Sequence, residues 1–116
     1  MSGKTCTIRV RLQSGWFERL RGLLGTGRRA QAVLLARCSS VHTFGMPYPI
    51  DILFLDRRSK VMRSYRRVGP GTVVKVRGAI AVIERPARPG PWPQAGEGID
   101  IRIGFGDERR ERAWLR

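Results

Sequence analysis

A chain of 116 residues with 41% apolar side chains can bury one core, which excludes wholesale disorder and a multidomain architecture. No apolar run reaches the roughly 18 residues of a membrane span, and residues 1–12 carry Lys4, Arg9 and Arg11 with no apolar signal-peptide core, so a cytoplasmic protein is expected. The charge is lopsided, 23 basic residues against 9 acidic for a net +14, and only Lys4, Lys60 and Lys75 of the basic ones are lysine; such a balance attracts polyanions in a salt-dependent way.

Taken in order, Cys6, Ile8, Val10 and Leu12 alternate with Thr7, Arg9 and Arg11, the period of a half-buried strand. After Ser14-Gly15, the residues Trp16, Phe17, Leu20, Leu23 and Leu24 fall at helical spacing and predict one short amphipathic helix ending near Gly25. Gly25 to Arg29 is a polar turn that lacks the Gly-Lys-Ser/Thr of a phosphate-binding loop. Ala32–Ala36 reads as a strand, and Ile50–Leu55 as a strand buried on both faces, because Ile52, Leu53, Phe54 and Leu55 are contiguous and do not alternate with polar residues.

Asp56 to Ser59 is a hairpin-like turn leading into a strand from Lys60 to about Arg67. Gly69-Pro70-Gly71 breaks the chain, and two β-branched runs follow, Thr72 to Arg77 and Ala79 to Glu84, split at Gly78. Residues 85–98 are rich in Pro and Gly and predict an irregular loop. Ile99, Ile101 and Ile103 alternate as a last strand, and 107–116 form a charged tail. Many short strands and one early helix predict a predominantly β, α+β domain over residues 1–106, a small barrel-like or strongly curled mixed sheet.

Four arginine pairs (Arg28-Arg29, Arg57-Arg58, Arg66-Arg67 and Arg109-Arg110) are scattered along the chain, without aromatic interleaving or a zinc-finger or helix-turn-helix pattern. Their expected consequence is non-specific polyanion binding. Cys6 and Cys38 are too few for a disulfide framework and are expected as unlinked, buried thiols.

The chemically dense stretch is CSSVHTFGMPYPIDILFLD, Cys38 to Asp56, which holds the sole histidine. Cys38, His42 and Met46 have a spacing that resembles the ligand loop of blue-copper proteins, but a second histidine is missing. Zinc would need Cys6 and a fourth ligand. Ser39 or Ser40 with His42 and Asp51 supplies the residue types of a hydrolytic triad, without a nucleophile elbow, and Cys38 with His42 is an equally generic thiol pair. Against these stands a structural role. Pro47 and Pro49 hold Met46 and Tyr48 extended, Gly45 permits a left-handed turn, His42 and Thr43 can cap backbone groups, and Asp51 can accept backbone N–H bonds or pair with an arginine. A stiff loop of polar, aromatic and soft side chains leading into a buried strand is also how small-ligand pockets are lined.

The run HTFGMPYPIDILFLD resembles the signature of the domain of unknown function 192 family, a small bacterial and archaeal domain: His-Thr-x-x-Met, then Pro/Leu-Ile-Asp and Phe-Leu-Asp. Gly22-Leu23-Leu24, Pro70 and Val82 to Ala87 (VIERPA) extend the likeness over about residues 8–103. Carried over position by position, the motif residues are His42, Met46, Pro49, Asp51, Asp56 and Glu84. The chain departs from the pattern at Arg88, where the family has Gly, and in the proline-rich segment that follows; Glu97 to Asp100 stand where the family closes with Gly-Asp.

The resemblance implies a compact, strand-rich domain with no set activity, and an accessory role, since some members lie near genes for pilus assembly or secretion. The expectation is a monomeric, non-enzymatic small-ligand-binding or accessory module. Its pocket would be lined by His42, Thr43, Met46, Tyr48, Pro49, Asp51, Asp56 and Glu84, for a small molecule or protein partner, with no cofactor, no metal and no membrane span. The alternatives are electrostatic binding of nucleic acid or another polyanion, and a hydrolase or metal-dependent enzyme.

Overall fold

In the computed structural model, which describes residues 5–13 and 32–104 (side chains of 11–13 and 104 apart), β4 (Ile50–Leu55) is the spine. All six of its residues are buried, because β5 (Val61–Val68) and β7 (Ala81–Pro86) pair with it antiparallel on either side and apolar layers cover both its faces. Burying Ile50, Ile52, Leu53, Phe54 and Leu55 contributes about 1.5–3 kcal/mol each. That explains an uninterrupted apolar run in a sheet that is mostly antiparallel.

Beyond β7 the sheet continues through β2 (Ala32–Ala36), β1 (Thr5–Gln13) and β8 (Gly98–Gly104), in the order β5-β4-β7-β2-β1-β8. β2 lies antiparallel to β7, but β1 lies parallel to both β2 and β8, pairings that a two-residue hairpin cannot make. The sheet curls until its edges touch at one end. There the Val61 N–H donates to the Glu97 carbonyl at 2.8 Å, the Gly96 N–H to Val61 at 2.9 Å and the Ile99 N–H to Ser59 at 2.8 Å. A half-barrel closed at one end satisfies edge groups that an open sheet would leave bare.

Side chains sort by strand parity into two cores. Ile50, Ile52 and Phe54 pack with Val33, Leu35 and Val82 on one face, under a ribbon of β3 (Ser40–His42) and β6 (Val73–Lys75) that contributes Val41 and Val74. Leu53 and Leu55 pack with Val10, Leu34, Ile83, Trp92 and Ile99 on the other. Cys6 packs against the second core and Cys38 against the first, so no disulfide joins them; both are half-buried rather than buried. No helix occurs among the described residues: the helix expected over Trp16 to Leu24 lies outside them, as does the tail at 107–116.

β5 runs along the outer side of the β4–β5 hairpin. Its register against β4 slips between Ile50 and Ile52 and again between Phe54 and Leu55, and these two bulges sharpen its twist. Arg57, Arg58, Arg63, Arg66 and Arg67 are all exposed along this hairpin, gathering arginines that the sequence spreads over eleven positions. Charge and bulges together discourage a second sheet from adding to the strand.

The hairpin turn is set by Asp56, whose carboxylate accepts the backbone N–H of Arg58 at 2.8 Å and of Lys60 at 3.0 Å. The Lys60 amide bond, with help from the Arg58 amide and both side-chain charges, holds this carboxyl below its ordinary range. A depressed folded pKa stabilises the native state above the unfolded value near 3.9 and loses that contribution as pH falls through the folded value. Asp56→Ala is therefore expected to unfold at lower denaturant than wild type at neutral pH, with the gap narrowing once the pH drops below about 4.

Candidate functional site

Thr43 is the pin of the His42-to-Asp51 loop. Its side chain is fully buried: Oγ1 donates to the Gly69 carbonyl at 2.7 Å and accepts the Thr72 N–H at 2.8 Å. The Thr43 backbone adds three bonds, its N–H to the Thr72 carbonyl and its carbonyl accepting from Met46 and Gly71. Two loops are thus locked together at one residue. Gly45 and Gly71, both at φ 81, supply the left-handed turns this path needs.

Behind the pin, Met46 and Tyr48 turn into the first core beside Val41 and Ile50. Burial pushes the Tyr48 phenol above its ordinary pKa, so it stays neutral through the physiological range. Ahead of it, Phe44 stands 54% exposed with its ring centroid 5.7 Å from that of half-buried His42, whose strand partner Val73 is 61% exposed. The loop and the β3–β6 ribbon together therefore present an aromatic ring, an imidazole and a valine at the surface.

Asp51 follows a different course. Ile50 and Ile52 point to the first core, so Asp51 points to the second, where it is fully buried. One oxygen accepts Arg85 Nε–H at 2.8 Å and the other the Arg67 backbone N–H at 3.0 Å. Arg67 sits at the first bulge with φ 54, a left-handed conformation that frees its amide from the ladder and aims it at the carboxylate. The Arg85 guanidinium lies 4.1 Å over the Trp92 ring. Burial lowers its pKa, against which the Asp51 hydrogen bond and charge act.

The eight residues expected to line one pocket are thus dispersed. Met46 and Tyr48 are core, Thr43 is the pin, and the Pro49 carbonyl accepts the Ala87 N–H at 3.0 Å. Glu84, paired in register with Val33 and Ile52, is buried on the first face, opposite to Asp51. Asp56 belongs to the hairpin turn at the far end of β4. His42 alone of the eight borders the exposed rim. Asp51, with both oxygens held by Arg67 and Arg85, lies on the wrong face to complete a triad on the His42 side. Among the described residues no three His, Cys, Asp or Glu side chains come close enough to hold a metal ion.

Arg85 and Trp92 were not singled out by the sequence, and Arg67 only as one of a pair of scattered arginines. For Arg85 a signal existed: it is in phase with Ala81 and Ile83 on β7, so the same alternation that buries Ile83 buries a guanidinium.

The fold is similar to that of a protein of unknown function from Novosphingobium aromaticivorans DSM 12444, with a TM-score of 0.56 and 20% identity over 66% of this chain and 61% of that one. The chain thus spans about three-fifths of that protein's length, and the likeness concerns the fold alone. No curated protein matches the sequence. The family model for DUF192, described as "Uncharacterized ACR, COG1430", matches residues 1–89 and stops within the proline-rich segment. With more than three-quarters of its length matched, the chain belongs to the DUF192 family of uncharacterised domains.

Proposed function

We propose that the protein is a non-enzymatic binding or accessory module that engages a small molecule or a protein partner at the rim of its HTFGMPYPID loop. The observation that carries this is Phe44: a large aromatic side chain held more than half exposed beside His42, on a loop fixed by five hydrogen bonds at Thr43. Exposed aromatics on rigid supports lose little entropy on binding and serve as contact anchors. The carboxylates of the stretch are occupied by the fold, Asp51 by Arg85 and Arg67 and Asp56 by its turn, which favours binding over acid–base catalysis. An accessory role beside pilus or secretion machinery would use the same rim.

The test is an amide NMR titration of the full chain with a small-metabolite library. Saturable shifts are expected first at His42, Phe44 and Val73, and Phe44→Ala should abolish them while keeping the denaturation midpoint. Silence at these three residues with every compound contradicts the proposal.

Electrostatic binding of polyanions is a second reading, favoured by the exposed arginines along the β4–β5 hairpin. Its affinity for an oligonucleotide should collapse by about 0.2 M salt, as a counterion-release interaction does; persistence above that would indicate specific recognition instead.

A further inference from the structure

The corner where Arg85 meets Trp92 holds two hydrogen-bond donors that the fold leaves unfilled: Arg85 Nη2 and Trp92 Nε1 are both buried and have no acceptor. Buried N–H groups are nearly always paired, so two unfilled ones on side chains stacked 4.1 Å apart call for a cause. The bulge supplies one. A carboxylate beside an arginine can take Nε and Nη2 together in a fork, but the Asp51 oxygen that would reach Nη2 is turned to the Arg67 amide. The charges are unbalanced as well. The charged groups acting on Arg85 are Asp51 on one side and the guanidinium groups of Arg66 and Arg88 on the other. Three cations therefore face one carboxylate. Arg66 is drawn to this corner by donating Nη2–H to the Arg88 carbonyl at 2.8 Å.

We propose that this corner binds a small oxyanion, a carboxylate or a phosphate monoester, through Arg85 Nη2 and Trp92 Nε1 with Arg66 and Arg88 supplying charge. An acceptor-only ligand fits two inward donors better than water, which would still have two O–H groups to place. The stacked Trp92 ring covers the guanidinium face and leaves its edge for in-plane hydrogen bonds. On this proposal the ligand enters past residues 88–91, which are exposed between two tethers, Arg66 to the Arg88 carbonyl and Ser64 Oγ to the Pro93 carbonyl at 2.6 Å. Trp92 lies beyond the stretch matched to the family, whereas Arg66, Arg85 and Arg88 lie within it. It is also separate from the Phe44 rim, since the two lie on opposite faces of the sheet.

The test follows the Trp92 indole N–H signal of the full chain, assigned by its loss in Trp92→Phe, during titration with sodium phosphate, sodium acetate and, for ionic strength, sodium chloride. A saturable shift with phosphate or acetate and none with chloride is expected. Tighter phosphate assigns the phosphate-ester class, and tighter acetate the carboxylate class. Arg88→Gln and Arg66→Gln should each weaken binding about threefold to tenfold, the loss of one partly screened charge. Arg85→Lys, which keeps the charge but loses the planar fork, should weaken it by about tenfold or more. Should Arg85→Lys unfold, Arg88→Gln at its exposed position still decides. A Trp92 signal that responds to both oxyanions as it does to chloride overturns the proposal, as does wild-type affinity in both glutamine variants.

Discussion

Asp51→Ala is expected to destabilise the protein by about 3–5 kcal/mol, the loss seen when one partner of a buried ion pair is removed. The carboxylate is fully buried and serves two donors, Arg85 Nε–H and the Arg67 amide. Its removal leaves a guanidinium in an apolar layer with no countercharge, beside Arg66 and Arg88, which repel it. The Arg67 amide is orphaned too, and its left-handed backbone loses the bond that offsets the strain. Equilibrium urea unfolding reads the effect as a lower midpoint with an unchanged slope. A loss below about 1 kcal/mol would mean that the pair is not formed as described.

Thr43→Val should cost about 1–3 kcal/mol, the penalty for a buried polar group left without its partner. Valine has nearly the same shape, so the cost falls on the Thr72 amide, which loses its acceptor beside a fully buried side chain. The Gly69 carbonyl keeps a second donor, the Thr72 hydroxyl at 3.0 Å, and so contributes less. Thr43→Ser retains the hydroxyl and should recover most of the loss. Because the same bonds hold Phe44 and His42 in place, Thr43→Val should also broaden their NMR signals; unchanged line shapes would argue against Thr43 as the pin.

Much of the fold was legible because its period-two patterns are local. Residues 32–36 and 50–55 have the expected bounds, and β1 shows the expected alternation, with Val10 fully buried and Arg9 exposed on the opposite face to it. The two-sided burial of β4 followed from its contiguous apolar run. Asp56 to Ser59 forms the expected turn, and Gly45 the left-handed one. β3 was missed, since three residues, Ser40 to His42, are too few for a period and owe their strand to pairing with β6. β7 runs two residues past Glu84 to Pro86, and β6 is shorter than the run from Thr72 to Arg77. Partner choice was not legible: β1 joins β8 in parallel across more than ninety positions, a matter of global packing.

The candidate site shows the same divide. Residues close in sequence were expected to share a pocket, yet a strand sends neighbours to opposite faces, and on β4 that rule parts Asp51 from Ile50 and Ile52, which pack with Met46 and Tyr48. The partner of Asp51 is thirty-four positions away, on β7. An arginine partner for Asp51 was expected from its carboxylate, but which arginine was not legible.

The central claim, that Asp51 serves the fold through Arg85, is tested most directly by a double-mutant cycle of Asp51→Ala and Arg85→Met read by urea unfolding. The double variant should be markedly more stable than the two single losses sum to, because an apolar pair no longer strands a charge, and the coupling should be about 2 kcal/mol or more. Losses that add within about 0.5 kcal/mol would contradict it.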